Sequence, residues 1–260
     1  MSEFRKIVEC ELAKHGYSLE EDAYKDRKDL MLALETYNMI LKKIYKSIDK
    51  YVDEDDEINI NSSIENVNYF KIEPGYGTLT IVFHYDENEK SAGLFIANIN
   101  VISINLANRY SDIEDYIEDI TNYEVWIKPE NYIALLKERN TQSTFVHEFQ
   151  HYIDNAKGSL KKSIFQKTGN TDVDDKKYWN SAHERNAYTI QRIFDIVGKT
   201  TDANDYKAMR NLTADQRLDF MKNKWQKDED FMLYYNKLEP KAQKRLLSRL
   251  YQYFSTDFWK

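Results

Sequence analysis

Seven glycines and three prolines serve all 260 residues, so little in this chain interrupts a helix, and long helices are favoured over many short strands. Apolar residues make up 42% and charged residues 31%, the balance of a folded chain rather than a disordered one. The length suits one large domain, or a central domain with helical appendages. Apolar residues recur at helical spacing over 3–15 and 27–52. From Ser111 onward the spacing predicts helices over 111–122, 129–139, 142–157, 181–198, 203–211, 214–226, 229–238 and 240–255. Thr213 to Gln216 has capping-box spacing, and Pro240 suits a helix start.

Between the two helical regions the character changes. Tyr69 to Ile72, Thr78 to Phe83 and Ala97 to Leu106 are rich in β-branched and aromatic residues, with turn chemistry at Pro74–Gly77 and Asp86–Lys90. The last run sets Ile99, Val101 and, less regularly, Ile102, Ile104 and Leu106 against Asn98, Asn100, Ser103 and Asn105, as in a strand with one polar face. A small, mostly antiparallel sheet is expected, and with it an α+β class. The expected division is a helical segment over 1–56, a central domain over 57–200 and a helical segment over 201–260, packed on the central domain.

The net charge is -7, which argues against a nucleic-acid or anionic-membrane partner, since both need a basic surface. Cys10 is the single cysteine, so no internal disulfide and no cysteine metal cage can form, and a reducing compartment is expected. The first residues alternate charge with apolar side chains and lack the apolar core of a signal peptide. No run approaches the roughly 18 apolar residues of a membrane span. The expected setting is a cytoplasm or the inside of a particle.

One short segment carries chemistry. In Thr144-Phe-Val-His147-Glu148-Phe-Gln-His151-Tyr-Ile-Asp154 two histidines stand four apart with a glutamate after the first. On a helix the two imidazoles lie one above the other and can reach one tetrahedral zinc. Glu148 lies about 100° round the helix from His147, where it can touch the attacking water without being a ligand. Phe145, Phe149, Tyr152, Ile153 and Ala156 form an apolar back on the other side. Thr141, Ser143 or Thr144 can cap the start of this helix, and Gly158 can end it.

A catalytic zinc needs a third protein ligand and an open position. Glu184 is the leading candidate. It begins a second amphipathic helix whose stripe is Ala187, Ile190, Phe194 and Val197. Ser181-Ala-His-Glu184 is also a capping-box pattern, in which Glu184 would bond only a backbone N–H. His183 and Asp154 are the alternative ligands, with Asp154 better suited to a supporting role. A donor for the tetrahedral oxyanion is also required. Tyr188, one turn beyond Glu184, is the candidate, with Tyr178 and His183 near in sequence. The polar segment from Ser159 to Lys177 reads as a loop; its aspartates lack the spacing of a calcium-binding loop.

His147-Glu148-x-x-His151 followed by a helical Glu184 resembles the gluzincin branch of zincin metallopeptidases. The wider phrasing, F-V-H-E-F-x-H-Y-x-D and then Y-W-N-S-x-x-E-x-N-A-Y, is similar to small metallopeptidase-like proteins of bacteriophages and mobile elements. The resemblance covers about residues 141–195. It implies that 57–200 is a zincin-like catalytic domain, that His147, His151 and Glu184 hold Zn2+, and that Glu148 is the general base. It also implies a peptide or protein substrate bound as an added strand at a sheet edge, for which residues 98–106 are the candidate. The location it implies is a host cytoplasm or a phage particle.

Three other readings compete. One is a non-enzymatic protein of the same fold, a virion component, adaptor or inhibitor that keeps its metal. Another is a nucleic-acid-associated zincin that cleaves DNA-crosslinked protein, disfavoured by the acidic balance. The last is a peptidase that cleaves a repressor, disfavoured because the Glu-Ala-rich helix typical after that motif is missing here.

Overall fold

The computed structural model describes residues 19–89, 91–107, 119–121, 124–160, 177–200 and 211–255. The expected helix over 3–15 lies outside them, as do all but the last residue of 203–211 and most of 159–177. Helices and small, mostly antiparallel sheets make the chain α+β. It divides into two compact units, residues 31–162 and residues 1–30 with 163–260.

The first unit holds the sheets. Helix α1, Leu19–Ser47, runs into it and ends in a short 3-10 turn at Ile48–Lys50. Strands β1 (Ile58–Asn59), β2 (Tyr69–Ile72), β3 (Leu79–His84), β4 (Gly93–Ile96), β5 (Val101–Asn105), β6 (Asp119–Thr121) and β7 (Glu124–Ile127) follow, then helices α2 (Pro129–Lys137) and α3 (Arg139–Ala156). The strands form a three-stranded sheet in the order β1-β7-β6 and a four-stranded sheet in the order β2-β3-β5-β4. Every pairing is antiparallel except β3 with β5.

Strand β3 shows why the larger sheet has a core face. Leu79, Ile81 and Phe83 are buried while Thr80, Val82 and His84 are half-buried, the period-2 signature of a sheet covered on one side. Ile102 and Ile104 of β5 join that buried face, and α3 packs against β4 and β5. Tyr37 of α1 meets Phe83 edge-on and lies 4.9 Å from the Phe145 ring, and its hydroxyl donates to the Leu136 carbonyl at 2.5 Å. Burial pushes the Tyr37 and Tyr132 phenols far above their ordinary range, so both stay protonated and act as donors. Tyr132 donates to the Val67 carbonyl at 3.0 Å.

Three expectations need correction here. Residues 119–121 form a strand paired with β7 rather than the end of a helix over 111–122; residues 111–118 are outside the described set. Strands β1, β4 and β7 were not anticipated. The segment 98–106 is not an edge: β5 lies between β3 and β4, and the edge strands of this sheet among the described residues are β2 and β4. Its asparagines serve turns instead. Asn105 is 1% exposed and bonds the Asp86 backbone on both its N–H and its carbonyl. Asn100 adopts φ 50° in the turn before β5 and accepts from the Asn155 side chain at 3.1 Å.

The second unit is helical, built from α4 (Ala182–Thr200), α5 (Ala214–Trp225), α6 (Glu229–Lys237), α7 (Pro240–Ser255) and the beginning of α1. Helix α7 buries Ala242, Leu246, Leu250 and Tyr253 at helical spacing. Arg249, at the edge of the same face, makes two hydrogen bonds, at 2.6 and 2.7 Å, to the buried Asp26 carboxylate. The Thr213 capping box is formed: the Thr213 N–H donates to Gln216 at 2.9 Å, and the Gln216 N–H donates to the Thr213 hydroxyl at 3.3 Å. Asn180 fastens the loop after α6, accepting from the Glu239 N–H at 2.8 Å and donating to the Lys237 carbonyl at 3.2 Å.

Candidate metal centre

Helix α3 carries the histidine pair, and its local sequence explains its limits. It starts at Arg139, three residues earlier than the spacing suggests, so Thr141, Ser143 and Thr144 lie inside the helix, buried, and none of them caps it. The capping position is Glu138, whose side chain makes no cap bond. The other end matches expectation. Gly158 takes φ 72°, its N–H bonds the Asn155 carbonyl at 2.9 Å, and the Ser159 N–H bonds the Asp154 carbonyl at 2.8 Å. These are the two bonds of a Schellman stop, which needs a left-handed residue that glycine supplies without a Cβ penalty.

Thirteen residues of α3, from Thr141 to Asp154 apart from Gln142, are buried. The helix is therefore enclosed on its chemical face as well as on its apolar back. Phe145, Phe149 and Tyr152 form a continuous row of tilted rings with centroids 5.4 to 5.5 Å apart. Phe95 of β4 and Tyr76 each meet Tyr152 edge-on at 6.3 Å, and the Tyr152 hydroxyl donates to the Gly77 carbonyl at 2.8 Å. With its back fixed by these rings, α3 can hold its other face in one orientation.

On that face the His147 and His151 Nε2 atoms are 3.1 Å apart. One ligand atom from each of His147, His151 and Glu184 lies within 4.8 Å of the other two, and all three residues are buried. The cluster can hold a metal ion. The donor chemistry fits zinc: bonds of about 2.0–2.1 Å at a tetrahedral angle separate two ligand nitrogens by about 3.3 Å, close to the observed pair. Two imidazoles and a carboxylate are three protein ligands, the number that leaves a fourth position open.

Glu184 is in the first turn of α4. A capping box would turn the Ser181 N–H toward Glu184, but that N–H has another acceptor. The Ser181 N–H bonds the Tyr178 carbonyl at 3.1 Å, and the Ser181 hydroxyl donates to the same carbonyl at 2.8 Å. Glu184 instead meets side chains. Its carboxylate is 3.5 Å from His183 Nε2 and is hydrogen-bonded to Tyr178, which is also bonded to Tyr188. Burial, then the neighbouring Tyr188 and Glu184, push the Tyr178 phenol far above its ordinary range. It therefore stays protonated, and toward a carboxylate it can only donate.

Tyr188 belongs to an aromatic cluster, 4.5 Å from the Trp179 ring and stacked at 5.1 Å on Tyr234. The stripe expected on this helix is shifted by one residue. Ala187, Ile190, Ile193 and Ile196 are buried while Phe194 is half-buried; the Val197 side chain is outside the described set. Asp154 accepts from Gln150 at 3.0 Å and is 4% exposed. Tyr178 lies before α4, six residues ahead of Glu184, and that spacing alone does not bring the two side chains to one face.

Glu148 lies one position beyond His147 and is 8% exposed. Gly93 of the edge strand β4 is its close neighbour, so near that a Cβ on that residue would stand 3.1 Å from Glu148 Oε1. The carboxylate is thus set between α3 and the backbone of a sheet edge. Compared with protein-family models, with curated proteins and with solved structures, the chain matches none.

Proposed function

We propose that this protein is a zinc-dependent peptidase of the zincin type, close to the gluzincin pattern. The observation that carries the reading is the buried cluster of His147, His151 and Glu184 with Glu148 beside it on α3. His147, His151 and Glu184 would hold the ion. Bound there, zinc would polarise the scissile carbonyl and make water acidic enough to react near neutral pH. Glu148 takes the proton from the attacking water and delivers it to the leaving amine. Tyr178 fixes the Glu184 carboxylate by donating to it, and Tyr188 backs Tyr178. Tyr188, the expected donor toward the developing oxyanion, has one O–H, so it serves there only by turning that O–H away from Tyr178.

The substrate in this reading is an extended peptide. Among the described residues no strand pairs the outer edge of β4, which runs past Glu148, and an added strand gains main-chain hydrogen bonds whatever its side chains. Leu94, 48% exposed on that strand, gives the edge an apolar contact. The test is zinc per chain by elemental analysis, followed by cleavage of a mixed peptide library read by mass spectrometry. About one zinc and time-dependent cleavage, abolished in Glu148→Gln, support the reading. A metal-free wild type after zinc supplementation overturns it.

One observation favours a second reading, a non-enzymatic protein of this fold that keeps its metal for stability. His147, Glu148, His151 and Glu184 are exposed by only 6%, 8%, 6% and 7%, the enclosure expected of a structural site. One zinc per chain with no cleavage of any library peptide would select this alternative.

A further inference from the structure

Gly93 stands in a strand, where glycine is disfavoured because it packs nothing and loses the most backbone freedom. Its φ lies outside the left-handed region, so the backbone does not require glycine there. Space does. An added Cβ would be 2.5 Å from Thr144 Cγ2 and 2.9 Å from Glu148 Cγ, both below the 3.0 Å that real Cβ atoms keep, and 3.1 Å from Glu148 Oε1. Thr144 and Glu148 are one turn apart on α3, on the same face. The β4 backbone therefore sits directly on the ridge that ends in the Glu148 carboxylate.

We infer that Gly93 is a positioning residue for Glu148: the missing side chain lets the edge strand seat against α3 and hold the carboxylate at the sheet edge. The catalytic consequence rests on Glu148 being the general base. A purely structural role for Gly93 would concern only the distance between strand and helix, and Thr144 carries the tightest part of that contact. The two roles separate because the Thr144 and Glu148 contacts are made by different atoms. Thr144→Ser deletes Cγ2 and leaves the clash with Glu148 untouched.

The experiment compares zinc-loaded full-length wild type, Gly93→Ala, Thr144→Ser and the double variant Gly93→Ala/Thr144→Ser. Thermal midpoint, zinc content, kcat and KM are measured on each, and crystal structures of the wild type and the double variant are compared. Gly93→Ala is expected to lose stability, and the double variant to recover most of it with zinc still near one per chain. In the double variant the contact to Glu148 Cγ must still widen from 2.9 Å past 3.0 Å and toward the 3.4 Å where ordinary contact begins, and the inference places that movement in the Glu148 side chain. Misplacement on that scale lowers kcat by about tenfold or more, with KM within about threefold. A Glu148 carboxylate at its wild-type position in the double variant, or wild-type kcat in any folded variant carrying the Gly93→Ala change, overturns the inference. A zinc-loaded wild type that cleaves nothing overturns the peptidase reading instead, and the carboxylate position in the two crystal structures still decides the role of Gly93.

Discussion

At the scale of single residues, the proposed chemistry separates binding from proton transfer. Glu148→Gln keeps the size of the side chain and removes its basicity. Peptidase kcat/KM is expected to fall by at least about a hundredfold, the lower range for a lost general base, with zinc content and thermal midpoint unchanged. Glu184→Ala has the opposite profile: clear loss of zinc, and with it activity, measured on samples prepared identically. Zinc retained at one per chain in Glu184→Ala would hand the third position to His183, 3.5 Å from the Glu184 carboxylate. Tyr178→Phe is milder. It removes one donor to Glu184 and is expected to weaken zinc affinity by about tenfold or more, read by competition with a chromogenic chelator.

At this scale the sequence was most legible, because ligand spacing is a property of one helix and needs no tertiary knowledge. His147, Glu148 and His151 follow from the period of the α-helix alone. Glu184 lies in one cluster with the two histidines, as the expectation of a third ligand asks. The roles of Gly93 and Tyr178 did not follow, because both depend on which side chain a distant or neighbouring segment meets. A glycine in a sequence carries no mark of the atom that would collide with its absent Cβ.

Elements were legible in proportion to their length. The helices from Pro129 onward lie close to their expected bounds within the described residues, since each spans several turns and repeats its pattern. Strands β1, β4, β6 and β7 have two to four residues each, too few for an alternation to register. The run over 97–106 misled for a different reason: asparagines that satisfy turn backbones look like one polar face of a strand. The start of α3 is hidden in the sequence because Thr141, Ser143 and Thr144 are capping residues by type, yet here they are buried inside the helix.

One prediction belongs to this scale. Gly158 has open space where a Cβ would go and φ 72°, so Gly158→Ala meets no neighbour and suffers only the left-handed backbone. The expected cost is about 1–2 kcal/mol, a fall in thermal midpoint of several degrees by calorimetry. Zinc content should not change.

For the whole molecule, the α+β class was readable because the β-rich block is contiguous and helices stand on either side of it. The division into units was not, since 1–30 groups with 163–260, and contacts between remote segments leave no local signature. Metal binding predicts a property of the entire chain. A ligand that binds only the folded state adds about 4 kcal/mol at a thousandfold excess over its Kd. Removing zinc with a chelator is therefore expected to lower the thermal midpoint by roughly 10 °C, reversed by adding zinc back. An unchanged midpoint would show that the cluster does not bind zinc tightly.

The four side chains at the centre each expose less than a tenth of their surface, and that enclosure has a kinetic meaning. In the proposed reading an ion trapped there leaves only when the surrounding structure opens, so exchange of labelled zinc should keep pace with amide hydrogen exchange along α3. Isotope exchange followed beside hydrogen–deuterium exchange would check this; zinc that turns over far faster than the amides would contradict it. A slow gate also makes the site a record. If that exchange is slow and no chelator intervenes, the ion at hand while the chain folds is the one that stays, and the metal recovered from a preparation reports the conditions under which the protein was born.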